Sequence, residues 1–226
     1  MLRAAIVATC LLALGACTMG HGPPTRYDRL LTPRAEVSKV VATELAFARA
    51  ARERGQWTAF AEYAADGAML FGQNGAIEAK PWLKTQTDPP EAVSWQPHRV
   101  WSSCDGTIAV TQGGFRDPAG TVGTFNTVWH RQADGEYLYA FDFGIPQDAA
   151  PLAPDIIQSG IASCAKTEGS AQPETGIPLR FSRDRTLAWG FQTVGAGERL
   201  YAVWIAGEDG WEQVVDIALP ASATAE

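Results

Sequence analysis

The segment "TVGTFNTVWHRQADGEYLYAFDFG" (residues 121–144) contains the clearest secondary-structure signal in the chain. Apolar and polar residues alternate over Thr121–Gln132 and again over Glu136–Phe143, which is the period of a β-strand. The Asp-Gly pair between the two runs is a strong signal for a hairpin. The sequence therefore predicts two long antiparallel strands, and the second carries one carboxylate, Asp142, between two Phe residues.

The same pattern extends toward the N-terminus. Strands are predicted at Val93–Ser102 and Thr107–Arg116, with turns at "CDG" and "DPAG". Before them, helical spacing covers Arg34–Arg54, with Leu45 among the apolar residues of the predicted buried face, and a shorter helix covers Gln56–Ala65. Helices followed by a strand meander favour an α+β fold, in which a curved antiparallel sheet carries the N-terminal helices on one face.

The chain becomes rich in Pro, Gly and Ser after Gly144. Residues 146–176 are predicted to be a linker, with a short helix between Asp155 and Cys164. Alternating runs then resume, and residues 177–219 are predicted to form a C-terminal antiparallel β extension. The last residues, 220–226, are expected to be disordered.

The N-terminus has the layout of an export signal. One positive charge at Arg3 precedes an apolar run that is too short to span a bilayer, so residues 1–16 are predicted to be a signal peptide. "LGAC" resembles a bacterial lipobox, which makes Cys17 the expected lipidation site and residues 17–34 a tether. The protein is thus expected to face the periplasm on a lipid anchor, its only membrane contact, and Thr18 after the Cys favours the outer membrane.

Composition limits the classes of partner and cofactor. A net charge of −7 without a basic run excludes a typical nucleic-acid-binding surface. The three His residues are scattered and no Cys-x-x-Cys occurs, so neither a metal site nor a cofactor is predicted. Without Cys10 and Cys17, an even pair remains, and a disulfide between Cys104 and Cys164 is expected in an oxidising compartment.

Four segments resemble the nuclear-transport-factor-2-like superfamily, which includes the SnoaL-like polyketide cyclases and the ketosteroid isomerases. They are "FARAARERGQWTAFAEYAADGAMLF", "PWLK", "PHRVWSSCDGTIAVTQGGF" and "GTFNTVWHRQADGEYLYAFDFG". The residues of these segments resemble those of a bacterial subgroup of that superfamily. The resemblance implies a cone-shaped domain over residues 35–145, with a pocket between sheet and helices. It implies no single function, because the fold hosts enzymes, binding proteins and assembly modules.

Site residues follow from the predicted pocket. Asp142 is either a general base whose pKa is raised by apolar walls or a carboxylate that holds a strand end, and the second reading is favoured. His98 and Tyr63 are the weaker catalytic candidates. Strict alternation puts Tyr139 and Phe141 on one face of the last strand and Asp142 on the other. The aromatic candidates for the pocket wall are Trp57, Tyr63, Trp82, Trp129, Tyr139 and Phe141.

The favoured hypothesis is an envelope lipoprotein that binds a small apolar or amphipathic molecule without turnover. The first alternative is a cyclase-, isomerase- or hydratase-like enzyme that uses Asp142 as its base. The second is a structural module that forms a homodimer, since proteins of this superfamily commonly pair through their sheets.

Overall fold

The computed structural model describes residues 34–72, 75–165, 172–195 and 197–220. The predicted signal peptide, the lipidation site Cys17 and nearly all of the tether lie outside the described residues, as does the predicted tail from residue 221 onward. Within the described ranges, no helix combines the length and the apolar character that crossing a bilayer requires.

Three helices lie in the N-terminal part of the described chain. They are α1 (Val37–Arg54), α2 (Gln56–Tyr63) and α3 (Ala79–Leu83). The buried face of α1 contains Val40, Glu44 and Phe47 at steps of four and three residues. Leu45, predicted to point inward, is 46% exposed because it lies beside this stripe rather than within it.

Seven strands form a large curved sheet on which these helices pack. They are β1 (Ala64–Gly72), β2 (Gly75–Glu78), β3 (Ser94–Ser102), β4 (Ile108–Arg116), β5 (Val122–Arg131), β6 (Tyr137–Gln147) and β7 (Gln158–Ile161). The spatial order is β2-β1-β6-β5-β4-β3-β7. The predicted meander β3 to β6 is confirmed, and its neighbouring strands all pair antiparallel. The α+β class is therefore confirmed.

The helix predicted between Asp155 and Cys164 is wrong. This part of the chain forms β7, which pairs parallel with β3 and places Arg99 opposite Gln158. The edge of β3 offers unpaired backbone groups along its length, and a strand satisfies them where an isolated helical turn would not. The sheet thus has parallel pairs at both ends of its antiparallel meander, β1 with β6 and β3 with β7.

A second sheet of four strands follows. Its strands are β8 (Leu179–Phe181), β9 (Leu187–Val194), β10 (Glu198–Ala206) and β11 (Trp211–Leu219). Its order, β11-β10-β9-β8, repeats that of β6-β5-β4-β3 in the large sheet. Apolar side chains of β9 and β10 pack with Val128 and Phe141 of the large sheet in one buried cluster. The large sheet therefore lies between a helical layer and a second sheet.

Two turns of the same pattern, Ser-x-Asp-x-Thr, join the two sheets. They span residues 103–107 and 182–186. The backbone N–H of Asp105 donates to Oδ2 of Asp184 at 2.8 Å, and the N–H of Asp184 donates to Oδ2 of Asp105 at 3.1 Å. Each carboxylate also accepts from its own Ser and Thr hydroxyls. The reciprocal pairing satisfies buried donors that neither sheet could satisfy alone.

The predicted disulfide is confirmed. Cys104, in the turn between β3 and β4, is bonded to Cys164, which follows β7, with Cα atoms 5.2 Å apart. The 60-residue separation makes this cross-link effective, because closing so long a loop reduces the entropy of the unfolded chain by the equivalent of about 4 kcal/mol.

Candidate functional site

A cavity of about 290 Å³ lies between the helices and the large sheet. Most of its wall is apolar. Nine of its lining side chains are aromatic or large and aliphatic, and they come from the helices and from β1 to β5: Phe47, Trp57, Phe60, Leu70, Ile77, Trp82, Trp95, Phe115 and Phe125. The exposed residues Gly72, Ile77 and Gly144 mark its mouth. Among the described residues, Asp142 and Gln56 supply the two polar side chains of the wall.

Asp142 lies on the cavity wall because β6 contains a bulge. Val128 pairs with Phe141 while the next residue, Trp129, pairs with Tyr139, so Ala140 is an extra residue in β6. An extra residue turns each side chain that follows it in the strand to the opposite face of the sheet from the one that strict alternation predicts. Tyr139 therefore points to the helices and Phe141 to the second sheet, which returns Asp142 to the helical face.

The carboxylate of Asp142 has a single hydrogen bond among the described residues. Thr127, directly opposite on β5, donates its hydroxyl to Oδ2 at 2.6 Å. Oδ1 is left open to the cavity. Burial in apolar surroundings raises the pKa of Asp142 to about 7, the Thr127 bond opposes that rise, and the charge of Glu44 adds to it.

The reading of Asp142 as a strand-end anchor is wrong. No described backbone N–H donates to its carboxylate, and β6 continues beyond it to Gln147. A carboxylate that secured a strand end would accept backbone bonds and have a lowered pKa, whereas this one is desolvated beside a cavity.

The first turn of α2 is held by an acceptor from outside the helix. Asp88 accepts from the backbone N–H of Trp57 at 2.6 Å and from the N–H and hydroxyl of Thr58. Gly55 precedes α2 at a φ of +112°, and a Cβ there would collide with the Asp88 carboxylate. The side chain of Gln56 accepts from the N–H of Val93 at 2.9 Å. These contacts fix the part of the wall that Gln56 and Trp57 form.

Glu44 is a buried acidic residue behind the cavity wall that the sequence analysis missed. It is fully buried and accepts hydrogen bonds from Thr111, from Trp95 Nε1 at 2.7 Å and from Trp129 Nε1 at 3.2 Å. Burial raises its pKa, and the three hydrogen bonds oppose that rise. Its position four residues after Val40, within the apolar stripe of α1, was the available signal. Because Trp95 lines the cavity, Glu44 positions part of the wall from behind.

Trp57 and Trp82 line the cavity as predicted pocket residues, with ring centroids 5.1 Å apart and planes at 82°. Tyr63 does not line it. Its ring stacks on Phe47 at 4.9 Å and faces a shallow groove beside α1 that also contains Leu138. The short helix α2 turns Tyr63 away from the side that Trp57 occupies, so an acid–base role beside Asp142 is not supported.

The other three predicted wall residues belong to the protein core. Trp129 is buried and turned toward Glu44. Tyr139 is buried and donates its hydroxyl to the backbone carbonyl of Phe60 at 2.9 Å, which closes that ring off from the cavity. Phe141 faces the second sheet, where its ring stacks on Phe191 with centroids 4.3 Å apart. The bulge at Ala140 is the reason that Phe141 was assigned to the wrong face.

His98 lies in a different groove from Asp142. It lines a shallow site with Arg116 and Pro151, on the outer side of β3 and β4. Partial burial and the charge of Arg99 lower its pKa. The register between β3 and β4 shifts at His98, which turns its side chain from the cavity. Proton transfer between His98 and Asp142 is therefore not supported.

The arrangement offers one ionisable group in an apolar chamber. Among the residues that the structure describes, no group of three or more His, Cys, Asp or Glu side chains has the geometry to hold a metal ion. Asp142 can accept or release a proton near neutral pH, or it can pair with a positive group of a bound molecule. The aromatic wall can bury an apolar ring or chain.

Comparisons with known proteins find similarity to solved structures but not to a family model or a curated protein. No protein-family model matches the chain, and no curated protein matches it. A solved structure of nuclear transport factor 2 from Cryptosporidium parvum is similar over 50% of this chain and 98% of that one, with 11% sequence identity and a TM-score of 0.37. At these values the likeness says nothing of activity, and the α+β architecture rests on the helices and strands of the chain itself.

Proposed function

We propose that this protein binds a small apolar or amphipathic molecule in the cavity between its helices and its large sheet. The observation that carries the proposal is an aromatic chamber of about 290 Å³ whose wall includes Asp142. The space is open at its mouth, and its more apolar wall, rather than its volume, distinguishes it from the shallow grooves that His98 and Tyr63 line. Small-molecule sites usually combine apolar walls with a few polar groups, as this one does.

The proposal is tested by filling the cavity. Leu70→Trp adds volume on the wall, and Leu152→Trp adds the same ring at a site that is 96% exposed and away from the cavity. Binding of 4-fluorotoluene is followed by ¹⁹F NMR. We expect the wild type and Leu152→Trp to bind alike, and Leu70→Trp to bind at least tenfold more weakly. Ile77→Trp, at the mouth, repeats the test should Leu70→Trp fold poorly. The proposal is contradicted if the wild type and the three Trp variants bind 4-fluorotoluene equally, or if none of these proteins binds it.

We also propose that the domain with this cavity is held in the cell envelope by a lipid anchor. Its support is the N-terminal sequence: an export signal over residues 1–16, a lipobox-like "LGAC" and a tether to residue 34. The expected result is incorporation of labelled palmitate that Cys17→Ser abolishes, with the wild type in the outer-membrane fraction. Labelling that survives Cys17→Ser contradicts the anchor.

Residues 35–145 are assigned, within this proposal, to the nuclear-transport-factor-2-like superfamily and its SnoaL-like proteins. The support is the chain order of α1, α2, β1, β2 and α3 followed by the meander. The homodimer stays a weaker alternative. A sheet-to-sheet dimer would use the face of the large sheet opposite the helices, and β8 to β11 of the same chain already cover that face.

An enzyme that uses Asp142 as general base is the second candidate. The observation in its favour is the pKa of about 7 in an apolar chamber, which suits proton transfer at neutral pH. Gln56 is the other polar side chain of the described wall, so the site has few groups to stabilise a developing charge. A carbonyl ligand that exchanges its α-hydrogens in D₂O with the wild type, but not with Asp142→Asn, would support this candidate.

A further inference from the structure

The wall of the cavity is electrostatically suited to positive charge. Several rings of Trp and Phe border it, and the ring planes of Trp57 and Trp82 lie at 82° to each other. The face of an aromatic ring is the negative part of its quadrupole, and Trp attracts cations most strongly. A cation desolvated against such rings gains about 2 kcal/mol or more.

Among the residues that the structure describes, no cation forms an ion pair with the carboxylate in this wall. The ion pairs among the described residues join Lys39, Arg54, Lys80 and Arg131 to other carboxylates, and none of these four residues lines the cavity. Asp142 has only the hydroxyl of Thr127 on one oxygen. A charge that is buried without a partner is costly, and a partner of opposite sign relieves that cost.

The described groups near Asp142 do not supply such a partner. Glu44 of α1, Tyr139 of the same strand and Tyr201 of β10 interact with its charge. Arg199 of β10 lies at the mouth, where it donates to the backbone carbonyl of Gly72 at 3.0 Å and forms no ion pair with Asp142. Burial raises the pKa of both tyrosines, so they stay neutral, and Glu44 contributes negative charge when ionised. An anionic ligand would be repelled, and a purely apolar ligand would leave the carboxylate further desolvated.

The size of the cavity limits the ligand. An apolar cavity of about 150 Å³ is enough to hold benzene. A volume of about 290 Å³ therefore accommodates one ring with a small substituent, or a molecule of that bulk. The position of Asp142 on the wall, rather than at the mouth, requires the charged end to enter with the apolar part.

We propose that the ligand of this cavity is a small organic cation, an ammonium group carried on an apolar ring or chain, which pairs with Oδ1 of Asp142 while its carbon skeleton packs on the aromatic wall. This inference rests on the proposed binding function and gives its ligand a chemical class. The net charge of −7 favours the approach of such a cation.

The test compares two molecules of the same shape. Benzyltrimethylammonium carries a quaternary nitrogen, and neopentylbenzene has carbon at that position. Their affinities for the wild type, Asp142→Asn and the exposed control Asp148→Asn are measured by calorimetric titration at pH 8 and pH 6. Since burial raises the pKa of Asp142 to about 7, the ionised fraction falls about tenfold between these two pH values.

We expect the ammonium compound to bind the wild type and Asp148→Asn about tenfold more tightly at pH 8 than at pH 6. In Asp142→Asn its affinity falls at least tenfold at pH 8 and loses the pH dependence. The hydrocarbon, which desolvates the carboxylate without pairing with it, binds no more tightly at pH 8 than at pH 6 and is not weakened in Asp142→Asn. If the hydrocarbon binds and the ammonium compound does not, or if neither pH nor Asp142→Asn changes the ammonium affinity, the cation inference is wrong and the binding function stands. If neither molecule binds at pH 8, the binding function is contradicted as well.

Discussion

Replacement of Asp142 by asparagine should change how the stability of the protein depends on pH. The pKa of this carboxyl is raised from 3.8 to about 7 in the folded state by burial beside the cavity. Between those values the folded protein holds a proton that the unfolded chain has released. The free energy of unfolding of the wild type therefore falls as pH rises from about 4 to about 7, and this contribution is flat above that range.

The size of the effect follows from the shift. Each unit of pKa difference corresponds to about 1.4 kcal/mol, so a shift of about three units is worth up to about 4 kcal/mol. The value is an upper bound because Oδ1 is open to a cavity that admits water. Asparagine does not titrate and can still accept the hydrogen bond from Thr127. Asp142→Asn should therefore match the wild type near pH 4 and be more stable at pH 8 by up to about 4 kcal/mol.

Urea denaturation at constant ionic strength, from pH 4.5 to pH 8.5, measures this difference. Glu44 also has a raised pKa and is present in both proteins, so the difference between the two curves reports Asp142 together with its interaction with Glu44. Asp148→Asn, at an exposed position outside the cavity, is the matched control and should follow the wild type. Parallel curves for wild type and Asp142→Asn across the whole range would show that Asp142 is well solvated, and the desolvation argument would then fail.

Three further predictions concern contacts that hold the cavity wall and the fold together. Glu44→Ala should lower the free energy of unfolding by about 3 kcal/mol, because buried donors that include Trp95 Nε1 lose their acceptor. The near-UV circular dichroism spectrum should also change, and a loss of less than about 1 kcal/mol would contradict this prediction. Cys164→Ser should lower the free energy of unfolding by up to about 4 kcal/mol in urea denaturation and raise the m-value, because the unfolded chain without the cross-link exposes more surface. An unchanged midpoint would mean that the disulfide is not stabilising. Asp88→Ala should lower the free energy of unfolding by about 1 kcal/mol and weaken the binding of 4-fluorotoluene, since the backbone N–H groups at the start of α2 lose their acceptor. Unaltered binding would show that Asp88 does not hold the cavity wall in place.

The strand meander could be predicted because its signals are local. Alternation over β3 to β6 and the Gly-containing turns between them depend on neighbouring residues alone. The pairing of Cys104 with Cys164 followed from the small number of candidates. The segment around β7 was misassigned because its four residues become a strand only through pairing with the edge of β3.

The candidate site was only partly predictable for a similar reason. Trp57 and Trp82 were identified as aromatic wall residues, but so were Tyr139 and Phe141, which lie on opposite faces of the sheet. Strict alternation gave the wrong face beyond Ala140, because a bulge with no glycine leaves no mark in the sequence. Glu44 was overlooked because a charged residue within an apolar stripe is usually read as a solvated one.

By itself, the sequence determined the period of the first two helices and of strands β3 to β6, the positions of the hairpin turns, the cysteine pair and the charge of the protein, since these depend on residue type and spacing. Only the tertiary structure decided that a second sheet covers one face of the large sheet, that helices leave a chamber on the other, and that Asp142 borders this chamber. The physical reason is that one inserted residue in β6, set by the pairing with β5, inverts the facing of every side chain that follows it.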